Sequence, residues 1–357
     1  MNGHLLSLVL PRVRELTAYH LERHDAGIKL DQNENGLGLA EPIREEIARR
    51  LVDVAVDRYP IPGQPVLREA LARATGWPAE GIVVDNGSDQ LLHTFARTFL
   101  EPGRVALAPT PSFFVYSLAV RLAGAELVEV PLDDNYRYVV DALLEAVAER
   151  QPHVVFLCSP NNPTGSTLQF AELERIVAAA PGMVVLDEAY WEFAGWNARE
   201  LMNDHPNLAI FRTFSKALAM AGIRLGYLLV QPEFRDEIVK VQPPFPVDCL
   251  AREAALVGLE HYDLARERAR EIVKARDALY QRLEALEGIE VFPSQTNFLL
   301  IRARGGAAAT YRGLLERGIV VRDVSAHPLL RDCLRVSIGT ADENESVYTA
   351  LRDMMTP

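Results

Sequence analysis

The sequence predicts an α/β fold, in which a large domain with a mostly parallel seven-stranded sheet is joined to a smaller α+β domain. Short β-branched runs alternate with helical patterns through the first two thirds of the 357 residues. Three prolines within residues 242–246 then interrupt regular structure. A long helical stretch and a second group of strands follow them, which indicates a second structural unit.

The strands of the large sheet are predicted from short apolar runs. They are Ile82–Val84, Val105–Leu107, Leu127–Val130, Val154–Leu157, Met183–Leu186, Ala209–Phe211 and Tyr227–Val230. Apolar residues recur at helical spacing between them, in Gln90–Leu100, Asp141–Arg150 and Phe170–Ala180. This alternation is typical of a largely parallel sheet covered by helices.

The part of the chain after the prolines begins with Leu250–Leu286, which is rich in Ala, Leu, Glu and Arg. It predicts a long connecting helical stretch that ends near Gly288. The strands expected after it are Glu290–Phe292, Phe298–Arg302, Ile319–Arg322 and Leu334–Ile338, with a helical segment among them. We therefore expect a large domain over 30–245 and a small domain formed by 1–29 and 246–357.

The composition excludes several classes of protein. Acidic residues outnumber basic ones by 49 to 37, so the net charge of −12 argues against binding to nucleic acid or to anionic lipid. Cys158, Cys249 and Cys333 lie too far apart for a disulfide framework or a C-x-x-C metal site, and no metal is expected. The apolar run Leu5–Leu10 is too short and wrongly flanked for a signal peptide. Since no apolar run is long enough to span a membrane either, we expect a cytoplasmic protein.

Polar residues follow several predicted strands, where ligands bind in open α/β sheets. Asp85-Asn86-Gly87-Ser88-Asp89 leads into a helix whose N-terminus could hold a phosphate, although an N-cap with a glycine turn is the commoner explanation of such a segment taken alone. Asn162 lies in a rigid turn between Pro160 and Pro163, and such a turn needs no function.

The next two strands are followed by side chains suited to acid–base chemistry. Asp187 and Tyr190 lie within one turn of each other, and Asp187 could alternatively be a helix cap. Thr213, Ser215 and Lys216 follow the next strand, and Arg224 comes eight residues after Lys216. An isolated lysine would ordinarily be a solvated side chain.

The joint pattern fits a phosphorylated pyridine aldehyde, pyridoxal 5′-phosphate. A lysine would form a Schiff base, an aspartate would keep the ring nitrogen protonated, and a tyrosine would hydrogen-bond the ring hydroxyl. Hydroxyl groups and an arginine would hold the phosphate.

At these residues the sequence resembles the fold type I aminotransferases, and within them the histidinol-phosphate aminotransferase branch. The resemblance extends from K-L-D-Q-N-E-N-G at Lys29–Gly36 to L-R-V-S-I-G-T at Leu334–Thr340. It implies Lys216, Asp187 and Tyr190 as catalytic residues. It implies a cofactor site formed by Gly87, Ser88, Phe113, Asn162, Asp187, Tyr190, Thr213, Ser215, Lys216 and Arg224. Tyr59, in R-Y-P-I-P-G, would reach the cofactor phosphate of the neighbouring subunit, which implies a homodimer with shared sites.

The resemblance also implies substrate contacts. Arg335 would bind a carboxylate and Arg322 the substrate phosphate, with Asn162, Asn297 and Tyr19 as further candidates. Arg322 could instead form an ion pair with Asp323 or Asp332. The sequence departs from the branch at Phe113, where a tyrosine is usual, and at N-E-N-G and Q-P-P-F-P-V-D. Stacking on the pyridine survives at Phe113, but a hydroxyl contact is lost.

The expected reaction is transamination of L-histidinol phosphate with 2-oxoglutarate, which gives imidazole-acetol phosphate and L-glutamate. The alternatives in the same branch are an aromatic amino-acid aminotransferase and a threonine-phosphate decarboxylase. A cofactor-sensing regulator would need an appended DNA-binding domain, for which about 30 residues before Leu30 are too few.

Overall fold

The computed structural model describes residues 2–18, 24 and 26–355, and Tyr19 lies outside them. The helices are α1 (Asn2–Leu6), α2 (Pro11–Arg14), α3 (Glu41–Leu51), α4 (Pro65–Thr75), α5 (Gly87–Phe99), α6 (Val115–Ala123), α7 (Val140–Arg150), α8 (Phe170–Ala179), α9 (Trp191–Ala194), α10 (Pro232–Ile238), α11 (Cys249–Glu260), α12 (Tyr262–Glu284), α13 (Ala307–Glu316) and α14 (Ala341–Met355). Short 3₁₀ turns cover Ala79–Gly81, Arg199–Asn203, Ala221–Ile223 and Pro328–Leu330.

The strands form two sheets. They are β1 (Ile28–Leu30), β2 (Ile82–Asp85), β3 (Val105–Thr110), β4 (Glu126–Pro131), β5 (Val154–Cys158), β6 (Met183–Asp187), β7 (Leu208–Thr213), β8 (Gly226–Leu229), β9 (Ile289–Phe292), β10 (Phe298–Ala303), β11 (Ile319–Asp323) and β12 (Cys333–Ser337). The large sheet has the order β2-β8-β7-β6-β5-β3-β4 and the small one the order β1-β11-β12-β10-β9.

The large sheet is parallel except at β8, which runs antiparallel to both β7 and β2. Its central strands β5, β6 and β7 are buried on both faces because helices cover both. In β5, Val155 and Leu157 pack into the core on one face, and Val154 and Phe156 pack into the core on the other. The predicted α/β class with a mostly parallel seven-stranded sheet is therefore confirmed.

The small sheet is mixed, and the N-terminal segment joins it. β1 pairs in parallel with β11, whereas β12 and β9 are antiparallel to β10. The boundary predicted near residues 242–246 stays a prediction. After it, α11 still contributes Ala251 and Ala255 to the core of the large sheet.

The helical stretch predicted over Leu250–Leu286 consists of two helices rather than one. The backbone leaves helical geometry at His261 (φ −107°, ψ 24°), between α11 and α12. Directly after this break, the hydroxyl of Tyr262 donates a hydrogen bond to Glu192 in α9 at 3.2 Å. This tertiary contact is not visible in the helical periodicity of the sequence.

Candidate active site

A cavity of about 490 Å³ lies at the carboxyl ends of the large-sheet strands and is closed on its other side by residues of the small sheet. Cys158, Asp187 and Thr213, the last residues of β5, β6 and β7, line it. Its volume is in the range of small-molecule sites. Most of the predicted site residues also line it, namely Ser88, Phe113, Asn162, Asp187, Tyr190, Thr213, Ser215, Lys216, Arg224, Arg322 and Arg335.

Asp187 is a buried carboxylate held by two hydrogen bonds. Its Oδ2 accepts from the hydroxyl of Tyr116 at 2.7 Å, and its Oδ1 accepts from the backbone N–H of Ala189 at 3.0 Å. Burial raises the pKa of Asp187 to about 6, while these two hydrogen bonds act in the opposite direction. The carboxylate is thus poised to accept a proton from, or share one with, a cationic group placed in the cavity.

Tyr190 is positioned by a polar network from the small sheet. Its hydroxyl accepts a hydrogen bond from Nδ2 of Asn33 at 2.9 Å. Asn33 has a left-handed backbone (φ 52°), and its N–H donates to Oγ of Ser337 at 2.9 Å. Burial raises the pKa of the Tyr190 phenol, so the group stays protonated at neutral pH.

Lys216 follows β7, and its Nζ donates to the carbonyl of Gln32 at 3.1 Å. Burial lowers the pKa of the Lys216 amine to about 8, and the positive charge of Arg335 acts in the same direction. A substantial neutral fraction near physiological pH gives this amine the nucleophilic form that carbonyl chemistry needs.

The N-terminus of α5 forms an electropositive corner of the cavity. Ser88 lies in its first turn, and the guanidinium of Arg224 lies close to Gly87, where an added Cβ would come within 2.8 Å of Nη2. Thr213 donates through Oγ1 to Oγ of Ser215 at 3.0 Å. Backbone N–H groups, hydroxyls and a guanidinium in one corner match what an anion requires.

Two arginines face each other on neighbouring strands of the small sheet. Arg322 in β11 is directly opposite Arg335 in β12, and both line the cavity. Arg335 donates to Oδ1 of Asn162 at 2.6 Å and to the carbonyl of Asp31 at 2.7 Å.

The two carboxylates considered as alternative partners of Arg322 have contacts of their own. Asp323 Oδ1 accepts the N–H of Ser325 at 2.8 Å, and Asp332 lies 3.7 Å from Nε of Arg331.

Three predicted residues within the described part of the chain do not line the cavity. Gly87 is in contact distance of the Arg224 guanidinium. Tyr59 is 82% exposed and stacks on Phe245 with ring centroids 4.6 Å apart. Asn297 is fully buried, and its Nδ2 donates to the carbonyls of Asn33 and Glu34 at 3.0 and 3.1 Å. Its side chain therefore supports the segment that carries Asn33, and its role as a substrate contact stays a prediction.

A family model for class I and II aminotransferases matches residues 25–351. The chain belongs to this family. It is 39% identical over 355 residues to a histidinol-phosphate aminotransferase of Chlorobium phaeovibrioides, with 98% of each chain covered. It is 40% identical over 345 residues to a histidinol-phosphate aminotransferase of Cupriavidus pinatubonensis, with 95% of this chain and 94% of the relative covered.

Solved structures support the fold type I assignment for this aminotransferase. The histidinol-phosphate aminotransferase of Sinorhizobium meliloti, in complex with pyridoxal 5′-phosphate, superposes with a TM-score of 0.88 at 28% identity, covering 98% of both chains. An L-threonine-O-3-phosphate decarboxylase of Porphyromonas gingivalis superposes with a TM-score of 0.83 at 26% identity, covering 92% of this chain and all of that one.

The donor set of the aminotransferase fits a ligand with an anionic group at one end and a protonated nitrogen at the other. Ser88, Ser215 and Arg224 supply donors in the electropositive corner, and Asp187 supplies a buried carboxylate. Lys216 lines the same cavity with a partly neutral amine. These residues match the phosphate, the ring nitrogen and the aldehyde of pyridoxal 5′-phosphate.

Sequence reasoning missed two residues that hold site residues in place. Tyr116 contacts Asp187 from α6, and it ends the P-S-F-F-V-Y segment in which the sequence predicts a role only for Phe113. Asn33 lies in the N-E-N-G segment, for which the sequence predicts no role. Asparagine tolerates a left-handed backbone better than most residues do. An asparagine in a loop is therefore the signal that could have marked Asn33.

No group of three or more His, Cys, Asp or Glu side chains is arranged to hold a metal ion among residues 2–18, 24 and 26–355. In the same part of the chain, no helix combines the length and the apolar character that crossing a bilayer requires.

Proposed function

We propose that this aminotransferase transfers the amino group of L-histidinol phosphate to 2-oxoglutarate, giving imidazole-acetol phosphate and L-glutamate in histidine biosynthesis. The observation that carries the proposal is the pair of opposed arginines, Arg322 and Arg335, beside the amine of Lys216 in one cavity. Two guanidinium groups suit two anionic substrates, a phosphate monoester and a dicarboxylate. The relatives at about 40% identity carry the name of this activity.

Pyridoxal 5′-phosphate would be held by Ser88, Thr213, Ser215 and Arg224 at its phosphate, by Asp187 at its ring nitrogen and by Phe113 against its ring. Bound there, it would supply an aldehyde and a ring that accepts electrons. The low polarity around Asp187 strengthens the interaction of its carboxylate with a cationic nitrogen. Tyr190 presents a protonated hydroxyl, which can donate to a ring oxygen.

Lys216 is the residue of this chain that transfers the proton. Its Nζ has a pKa lowered to about 8 by burial, so the amine can take up and return a proton near neutral pH. In this role it accepts the proton from Cα of the amino donor. Arg335 binds the carboxylate of 2-oxoglutarate, and Asn162 orients that guanidinium through its 2.6 Å contact.

A cytoplasmic homodimer with shared sites is part of the proposal. Tyr59 and Phe245 form a stacked aromatic pair that is largely exposed on the single chain. Exposed apolar pairs of this kind suit a subunit interface. Tyr59 would then serve the cofactor phosphate of the partner subunit.

The threonine-phosphate decarboxylase alternative is favoured by the Porphyromonas gingivalis structure, because Arg322 could bind the phosphate of either substrate. The aromatic aminotransferase alternative needs no phosphate site. One panel separates the three: histidinol phosphate, threonine phosphate, phenylalanine and tyrosine, scored for amino transfer and for release of CO₂. We expect amino transfer from histidinol phosphate to be the fastest reaction.

Arg322→Ala provides the residue-level test. The phosphate dianion loses a bidentate partner, whereas glutamate keeps Arg335. We expect KM for histidinol phosphate to rise about tenfold to a hundredfold, the effect of losing a hydrogen bond to a charged group, with little change for glutamate.

Arg331→Ala is the matched control, because Arg331 is 90% exposed, lies nearby in sequence and pairs with Asp332 outside the cavity. It should change neither KM. Equal losses for both substrates in Arg322→Ala would contradict a phosphate role, and unchanged kinetics with turnover of phenylalanine would favour the aromatic aminotransferase.

A further inference from the structure

The buried carboxylate of Asp187 depends on one side-chain donor, Tyr116. The phenol donates to Oδ2 at 2.7 Å, and the second hydrogen bond, from Ala189 N–H to Oδ1, comes from the backbone that follows β6. Asp187 is only 3% exposed. A carboxylate in such surroundings requires hydrogen bonds to stay charged.

The Tyr116 ring is held rigidly, so its hydroxyl has a defined position. It is 2% exposed, stacks on Phe156 with centroids 5.3 Å apart and meets Phe113 edge-on at 5.7 Å. These contacts place the phenol from α6 against a carboxylate at the end of β6. The hydroxyl therefore needs no reordering when a cofactor enters.

We propose that Tyr116 is a positioning residue that fixes the orientation of Asp187 and keeps it ionised, so that Asp187 can hold the ring nitrogen of pyridoxal 5′-phosphate protonated. The inference rests on the proposed function, since it concerns the same cofactor. The hydrogen bond from Tyr116 is the largest influence that lowers the pKa of Asp187 against the effect of burial. Removing it leaves the buried carboxylate with a stronger tendency to protonate.

The test compares two ligands of the apoprotein, followed by fluorescence titration. One is pyridoxal 5′-phosphate, and the other is its analogue with carbon in place of the ring nitrogen. Tyr116→Phe keeps the packed ring and removes only the donor. We expect its Kd for pyridoxal 5′-phosphate to rise about tenfold, as for loss of one hydrogen bond to a charged group, while its Kd for the analogue stays within about twofold of wild type.

Tyr138→Phe is the matched control. The Tyr138 hydroxyl donates to the carbonyl of Cys158, a lining residue of the cavity, and not to Asp187. We expect Tyr138→Phe to affect both ligands alike. The acid limb of the pH profile for kcat should move to higher pH in Tyr116→Phe, because the pKa of Asp187 rises when its donor is lost.

A double-mutant cycle keeps the inference falsifiable if Tyr116→Phe also loosens the fold. When Asp187→Asn is already present, adding Tyr116→Phe should leave the Kd for pyridoxal 5′-phosphate unchanged if Tyr116 acts through the carboxylate. Additive losses, or equal weakening of both ligands in the single variant, would overturn the inference and leave the proposed function standing. Wild-type apoprotein that does not bind pyridoxal 5′-phosphate would overturn both.

Discussion

At the scale of single residues, the chemistry of the site depends on where each titratable group is buried. Lys216 and Asp187 line the same cavity, and burial moves their pKa values toward each other, to about 8 and about 6. Two groups of opposite charge type that both titrate near neutrality are typical of sites that transfer protons.

Lys216 should carry the cofactor, and its attachment should follow pH. Because burial lowers the pKa of the amine to about 8, the neutral fraction grows as the pH rises through that value. We expect the rate at which apoprotein attaches pyridoxal 5′-phosphate to increase between pH 7 and 9, with a midpoint near the lowered pKa. The measurement is the growth of the Schiff-base absorption band over a pH series.

Lys216→Ala is the accompanying variant, with Lys240→Ala as its control because Lys240 is exposed and paired with Glu237. Lys216→Ala should still bind cofactor but lose turnover, and Lys240→Ala should behave as wild type. Borohydride reduction and peptide mapping should find the label on Lys216. A label on Lys29, Lys240 or Lys274 would refute the assignment.

The sequence predicted the position of a polar side chain correctly where that residue lies at the end of a strand of the large sheet. Asp187 is the last residue of β6 and Lys216 follows the end of β7 by three residues, so both side chains lie at the edge of the sheet that faces the cavity. Asn297 also precedes a strand, yet its amide is directed at the carbonyls of Asn33 and Glu34. The direction of a side chain within a packed loop depends on a partner about 260 residues away, and no local pattern encodes that partner.

At the scale of elements, the backbone of β8 lies very close to the N-terminus of α5. A Cβ on Gly226 would lie 2.3 Å from the backbone nitrogen of Ser88 and 2.8 Å from its Cα. These are backbone atoms of the first turn of α5 and cannot move aside as a flexible side chain could. The glycine allows the strand and the helix terminus to meet.

Gly226→Ala should therefore displace the N-terminus of α5, which forms the electropositive corner of the cavity. We expect the free energy of unfolding to fall by about 1–3 kcal/mol, which is typical of overpacking. We also expect the Kd for pyridoxal 5′-phosphate to rise about tenfold, because the N–H groups of α5 would move away from the charged phosphate of the ligand. Urea unfolding and cofactor titration measure the two effects.

Gly222→Ala is the control for Gly226→Ala, because an added Cβ at Gly222 meets no atom within 4 Å. Wild-type behaviour is expected there. A Gly226→Ala protein with unchanged stability and affinity would contradict the importance of the close approach.

Element prediction from sequence succeeded where strands are short, apolar and separated by helices. The strand predicted over Val154–Leu157 is observed as β5, one residue longer. The break at His261 was missed, because α11 packs on the large-sheet core and α12 contributes Ala269 and Ile272 to the small-sheet core. Helical propensity predicts that both α11 and α12 are helical. It does not show that the two helices pack on different cores, which is why the chain breaks between them.

At the scale of the whole molecule, the two sheets form separate cores and the cavity lies between them. Arg335 from the small sheet contacts Asn162 from the loop after β5 at 2.6 Å, and Lys216 donates to Gln32 next to β1. Both contacts cross the cavity. The site therefore needs both sheets, and the proposed role of Tyr59 adds a second subunit to that requirement.

Tyr59 is the residue through which subunit sharing can be measured. On the single chain it is exposed and outside the cavity, so it can reach a cofactor only across an interface. Tyr59→Ala and Lys216→Ala should each be inactive or nearly so. After subunit exchange, a hybrid dimer has one site with both side chains intact, so an equal mixture should recover about a quarter of wild-type activity under random pairing.

The control for that mixture is Lys216→Ala with Asp187→Ala. Both residues line the cavity of one chain, so every site of their hybrid carries one defect and no recovery is expected. Subunit exchange is verified by co-purification of two differently tagged chains. Recovery in the Tyr59 mixture alone supports a shared site, because only then do the two defects fall in the same site of the hybrid and leave its other site intact. Absence of recovery in both mixtures, once exchange is demonstrated, would mean that Tyr59 does not complete the partner's site.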